Sequence, residues 1–186
     1  MLTILDHMPP GLLACEATAL AQVLSGPTLL HLAGRRQPPL FVSVLLHGDE
    51  DTGWLAARQL LREAADAELP RALSLFIGNV QAGRSRQRFL PGQSDYNRVW
   101  TVADVAPASA EHAMAQAVWR EMRSRGVFAS VDVHNNTGLN PHYACVRRLD
   151  HRFLQLATLF SRTVVYFTKP EGVQAEAFAA LCPAVT

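Results

Sequence analysis

Only three cysteines occur along the 186-residue chain, Cys15, Cys145 and Cys182, an odd number without a repeated close spacing. That argues against a disulfide framework and against a cysteine zinc site, and suits small buried hydrophobes in a reducing compartment. Neither sign of charge dominates, since 17 Lys and Arg stand against 16 Asp and Glu for a formal net charge of +1. With no broad basic field and no acidic tail, nucleic acid is not an expected partner, and binding must be local. No uninterrupted apolar run approaches the ~18 residues of a membrane span, so no membrane partner is expected either. Residues 1–13 carry no cationic segment followed by an apolar stretch and a small-residue cleavage site, which leaves the cytoplasm as the expected location. There is no Gly-x-Ser-x-Gly, no glycine-rich phosphate loop and no His-Glu-x-x-His. Those absences disfavour a serine nucleophile, a nucleotide phosphate site and the helix-borne metalloprotease motif.

What is present fits a folded core. Hydrophobic residues make up 49% of the chain and charged ones only 18%, and the length suits one domain over residues 1–186 rather than two. Residues 28–33, 40–46, 72–77, 127–133 and 163–167 read as strands, with one more beginning at 183–186. The run at 40–46 is apolar on both faces, as a central strand covered by helices on both sides requires. Helical patterns occupy 17–24, 54–65, 109–125, 151–160 and 171–181. In the fourth decade of the chain, residues 34–39 supply a turn, and Gly126 is a stop signal after the helix at 109–125, whose inner face is expected to carry Ala113, Ala117, Val118 and Met122. The alternation predicts an α/β fold with a largely parallel or mixed sheet. Residues 80–105 show no periodicity and hold the densest polar cluster; in a compact domain such a segment is either functional or disordered.

Three polar clusters follow strand ends: His47 to Glu50, Asn79 onward, and His134 to Thr137. In open α/β sheets, sites form at the carboxyl ends of strands. His47 and Glu50 are three residues apart in a loop leading into a helix and can turn toward one point; His134, from a distant strand, can add a third ligand. Two imidazoles and a carboxylate, with a fourth position open, form the ligand set of a catalytic rather than a structural zinc site. The alternative for His-x-x-Glu alone is a solvated loop at a helix amino end. The ordered conjunction of His-Gly-x-Glu, Asp-x-Asn-Arg and x-His-Asn favours the metal.

At these residues the chain resembles the zinc carboxypeptidase superfamily, in particular its succinylglutamate desuccinylase and aspartoacylase branch. The motifs that carry the resemblance are Leu46-His47-Gly48-Asp49-Glu50, Gly78-Asn79 through Ala82, Arg88-Phe89, Asp95-Tyr96-Asn97-Arg98 and Asp132-Val133-His134-Asn135, in that order. The resemblance implies a three-layer α/β/α fold with a mixed, largely parallel central sheet, as in phosphorylase- and hydrolase-like proteins. It also implies one Zn2+ per chain on His47, Glu50 and His134, with Asp95 accepting a hydrogen bond from the His47 imidazole. The alternative for Asp95 is a turn-forming role. Arg88 matches the arginine that polarises the scissile carbonyl, although Arg84 and Arg86 are close by. Asn97 and Arg98 match the pair that clamps a substrate carboxylate, with a surface salt bridge as the alternative for Arg98. Tyr143, beside His142, is close enough to line the pocket or to belong to a plain loop.

The implied activity is zinc-dependent hydrolysis of an amide or peptide bond beside a carboxylate-bearing group. The partner would be a small-molecule or peptide substrate with a free carboxylate. The family's general-base glutamate follows the Cys-Pro-Ala-x-Thr-like strand, so it is expected just beyond Thr186, with the last strands missing and an unfinished sheet edge at residues 183–186. Glu171 and Glu176 read as ordinary exposed helix residues. The alternative function is a zinc-binding but catalytically silent module, and substrate identity and oligomeric state stay open.

Overall fold

The computed structural model describes residues 1–65, 67–101, 105–136 and 138–186; Thr137 and part of the 80–105 segment lie outside the described residues. The strands are β1 (Thr3–Leu5), β2 (Thr28–Leu32), β3 (Leu40–Val44), β4 (Leu73–Ile77), β5 (Ala129–Asp132), β6 (Ala144–Val146), β7 (Val164–Tyr166) and β8 (Ala184–Val185). Among the described residues, five α-helices accompany them: α1 (Thr52–Glu63), α2 (Val80–Arg84), α3 (Ala110–Arg125), α4 (His151–Thr158) and α5 (Gln174–Phe178). The strands form one sheet in the order β1-β2-β4-β3-β5-β8-β6-β7. Neighbours β2 and β4, and β8 and β6, run antiparallel; the other neighbouring pairs are parallel. This is the mixed, largely parallel α/β architecture expected from the sequence.

Alternation along the central strands explains the layers. Leu29, Phe41 and Phe76 pack into one apolar cluster with Met114, Val118 and Met122 of α3, while Leu30, Leu75 and Ile77 pack into another with Trp54 and Leu61 of α1. A strand with both faces buried needs apolar residues at successive positions, and β2 and β4 supply them. In α1, Trp54 and Leu61 are seven residues apart and lie on one helical face. In α3 the inner face is Met114, Ala115, Val118 and Met122, not Ala113, which points to solvent. Ser109 caps α3 by accepting from the His112 N–H, and Gly126 follows it with φ 73°.

Several boundaries differ from expectation for local reasons. Strand β3 stops at Val44 because Leu45 takes a left-handed φ of 56°, which turns the chain toward His47. Residues 17–22 wind as a 3-10 helix rather than an α-helix. Helix α5 begins only after Val173, since Gly172 has φ 72° and Trp100 N–H donates to the Gly172 carbonyl. The three-residue strands β1 and β6 and the five-residue α2 are too short to show a period. The final strand is not a sheet edge: β8 lies between β5 and β6, and the Cys145 and Thr186 backbones exchange both hydrogen bonds beside it. No helix among the described residues is long and apolar enough to cross a membrane.

Candidate metal centre

Strands β4, β3 and β5 are adjacent and parallel, so the loops after them leave from the same end of the sheet. His47 follows β3, Glu50 precedes α1, and His134 follows β5. The turn between His47 and Glu50 passes against α2 so closely that a Cβ on Gly48 would fall 2.3 Å from the Ala82 carbonyl carbon. Only glycine admits that approach. Gly48 N–H donates to the Arg88 carbonyl at 3.1 Å, which ties the turn to the polar segment between α2 and α3.

The three expected ligands meet. One donor atom from each of His47, Glu50 and His134 lies within 4.8 Å of the others. His47 Nδ1 is 2.8 Å from Glu50 Oε1, and His134 Nδ1 is 2.7 Å from Glu50 Oε2. Both outward nitrogens face carboxylates: His47 Nε2 lies 2.9 Å from Asp95 Oδ1, and His134 Nε2 lies 2.8 Å from Asp132 Oδ2. A carboxylate behind each ring favours the proton on Nε2 and turns the Nδ1 lone pair inward. Asp95 in turn accepts from the Asn97 N–H at 2.7 Å, and Asp132 Oδ1 accepts from the Ser43 hydroxyl at 2.6 Å.

Asp95 is thus the carboxylate beside His47 Nε2. Asp132 is the residue that sequence reasoning passed over, although a signal existed: it stands two residues before His134, and side chains two apart along an extended segment share a face. Ser43 is the second omission; it sits across the ladder from Asp132 in the register of β3 and β5.

The electrostatics follow from three carboxylates around two imidazoles. Burial opposes charge on His134, but the carboxylates of Asp132 and Glu50 outweigh it and hold its pKa up to about 10. His47 is raised as well, because its bonds to Asp95 and Glu50 overcome desolvation. Despite burial, Glu50 is lowered to about 2 by the two imidazoles, and Asp95 falls below the usual carboxylate range through His47 and the Asn97 amide. A divalent cation fits such a donor set: it would replace the protons that two imidazoles otherwise retain to balance the acids.

Arg88 is the arginine that reaches the cluster, with Nη1 3.3 Å from Glu50 Oε1 and Nη2 3.2 Å from Asp95 Oδ2. Asn97 is buried; its Nδ2 lies 3.1 Å from His134 Nε2, and its Oδ1 accepts from the Gln174 N–H at 2.9 Å. Arg98 is exposed and donates to the Asn97 carbonyl at 2.6 Å. Tyr143 is half-buried, with its hydroxyl accepting from Asn136 Nδ2. Arg88, Asn97, Arg98 and Tyr143 all border the cavity of about 580 Å3 that opens over the two histidines and Glu50.

Glu176 is not an ordinary exposed residue. It is half-buried, pairs with Arg147 and accepts from the Gly172 N–H at 2.8 Å, which pins the segment that carries Gln174. Burial raises the Cys145 thiol and pushes Cys182 up to about 12, so both stay protonated, as inert thiols should.

Residues 36–184 match the succinylglutamate desuccinylase/aspartoacylase catalytic domain. The chain belongs to that family. No curated protein matches it by sequence comparison. Among solved structures, succinylglutamate desuccinylase from Chromobacterium violaceum is 19% identical with a TM-score of 0.64; the match covers 82% of this chain and 55% of that one. An aspartoacylase family protein from Mesorhizobium loti is 16% identical, with a TM-score of 0.64 and coverage of 84% and 54%. A metallo-carboxypeptidase from Burkholderia cenocepacia is 14% identical, with a TM-score of 0.60 and coverage of 84% and 50%. At these identities the likeness establishes a shared fold, and the matched region spans about half the length of those proteins.

Proposed function

We propose that this member of the desuccinylase/aspartoacylase family is a zinc-dependent hydrolase that cleaves an amide or peptide bond beside a carboxylate-bearing group. The observation that carries the proposal is the convergence of His47 Nδ1, His134 Nδ1 and the Glu50 carboxylate, each imidazole backed by a second acid. A zinc ion held there supplies a Lewis acid and lowers the pKa of water.

The chain's own residues divide the remaining work. Asp95 and Asp132 orient the two imidazoles and keep their outward protons in place. Arg88 is half-exposed, and its guanidinium already faces the cluster, so it can donate to an oxygen that gains negative charge during attack. Arg98 offers a fork of donors for a substrate carboxylate, and Asn97 places it through the backbone between them. Tyr143 lines the wall of the same cavity.

A second reading rests on a specific observation. Among the described residues, Glu50, Asp95 and Asp132 each already bond a ligand imidazole, so none stands as a spare proton acceptor. General-base chemistry needs such a group within hydrogen-bond reach of the attacking water. On this reading the chain is a zinc-binding, catalytically silent module.

The test is amine release by zinc-loaded protein from N-acyl amino acids and from peptides with free carboxy termini. The hydrolase reading expects turnover that chelation abolishes and that Arg88→Ala lowers by about 100-fold or more. Zinc binding at one ion per chain with no turnover of either substrate type would establish the silent module instead.

A further inference from the structure

Gln174 opens α5, is fully buried and does not border the cavity over the metal ligands. Its side chain and its backbone nevertheless hold two parts of the candidate metal centre. Nε2 donates to the Ser130 hydroxyl at 2.8 Å, and Ser130 stands two residues before Asp132 on the same face of β5. The Gln174 N–H donates to Asn97 Oδ1 at 2.9 Å, and Asn97 Nδ2 lies 3.1 Å from His134 Nε2. The chain just before α5 is anchored as well. Trp100 N–H donates to the Gly172 carbonyl at 3.0 Å, and a Cβ on Gly172 would fall 2.8 Å from the Arg98 carbonyl oxygen. Gln174 therefore has little freedom to move against the stretch that carries Asn97.

Gln174 Oε1 is buried and has no hydrogen-bond partner among the described residues. A buried carbonyl left alone weakens a fold, whereas Gln174→Leu with Ser130→Ala would fill the same space with no polar group to satisfy. A pair that costs stability in this way suits a task other than folding. We infer that Gln174 is a positioning residue for His134: it fixes the Asn97 amide so that Asp132 accepts the imidazole's outer proton without a rival. The Gln174 N–H can bond only to the oxygen end of that amide, so the nitrogen end faces the ring. With the amide turned over, its oxygen would stand beside Nε2 and compete with Asp132, and the Gln174 N–H would be left facing a donor. The bond to Ser130 holds the Gln174 backbone against β5, the strand that carries Asp132. The consequence for metal binding rests on the hydrolase reading above; the grip on Asn97 rests on the hydrogen bonds alone.

The test combines Gln174→Leu with Ser130→Ala, which removes both polar partners and keeps the packing. Zinc affinity, measured by competition with a chelating dye, is expected to fall about tenfold in this double variant, while the denaturation midpoint stays in place or rises. In nuclear magnetic resonance spectra of the metal-free protein, the cross-peaks between the Asn97 side-chain amide and the His134 ring are expected to disappear. In an Asn97→Ala background the same two changes should cost no further zinc affinity, because their effect passes through Asn97. Cross-peaks that survive overturn the inference, as does undiminished zinc affinity or an additive loss on top of Asn97→Ala. A midpoint that falls together with zinc affinity makes the pair structural and overturns it too. An unaltered protein that takes no zinc sinks the hydrolase reading by itself, and the cross-peaks then decide the inference.

Discussion

At the scale of single residues, the candidate metal site depends on acids that stand behind its imidazoles. Asp132 is fully buried behind His134 and is itself held by Ser43, so its carboxylate cannot drift from the imidazole it orients. Asp132→Ala is expected to lower zinc affinity by about 10–100-fold, measured by competition with a chelating dye, while the secondary structure is retained. Ser43→Ala should give a smaller loss in the same direction, since it frees one oxygen of Asp132 without removing the bond to His134. His47, Glu50, Asp95 and His134 were legible in the sequence because each belongs to an ordered motif. Asp132 was equally visible within its motif, but its role emerges only when His134 turns its Nε2 back toward the strand. The part played by Glu176 was not legible, because it depends on the pairing with Arg147 and on a turn at Gly172 that no periodicity reports.

At the scale of elements, the loop after β3 has to fit between α2 and the segment that carries Arg88. The left-handed Leu45 and the packed Gly48 set the course of that loop. Gly48→Ala would force a Cβ into the backbone of Ala82 and Gly83, where no side-chain rotation can relieve the overlap. It is expected to destabilise the protein by about 2 kcal/mol or more in denaturant unfolding, and to lower zinc affinity because His47 and Glu50 flank the displaced turn. The five-residue central strands were legible as continuous apolar runs, and the helices α1 and α3 because their apolar residues recur on one helical face over several turns. Strands β1 and β6 and helix α2 were not, because three to five residues carry no period and their pairing is decided by distant neighbours. The place of β8 inside the sheet is the clearest case: two residues find their partners on β5 and β6, far away in sequence.

At the scale of the whole molecule, the shifted groups make stability and metal binding depend on pH in opposite ways. A histidine with a raised folded pKa stabilises fully below the ordinary value of 6.5, and His134 loses that contribution as pH climbs toward about 10. Glu50, lowered to about 2, contributes above the ordinary 4.5 and loses its contribution as pH falls through about 2. The melting temperature of the metal-free protein is therefore expected to peak between those two windows and to fall on either side. Zinc competes for the same imidazoles with the protons that their acids retain, so its affinity should rise with pH from about 6 to about 8. A flat affinity over that range would mean that His47 and His134 do not lose protons on binding. The architecture that sets these shifts, a mixed sheet with β3 and β5 side by side, was expected from the alternation of strand and helix patterns, whereas the order of all eight strands was not.

The most direct measurement is the zinc content of purified protein and of His47→Ala, Glu50→Ala and His134→Ala, by elemental analysis after dialysis against the metal. One ion per chain is expected in the unaltered protein, and a loss of most of it in each variant. Undiminished zinc in all three, or none in the unaltered chain at saturating metal, would contradict the account.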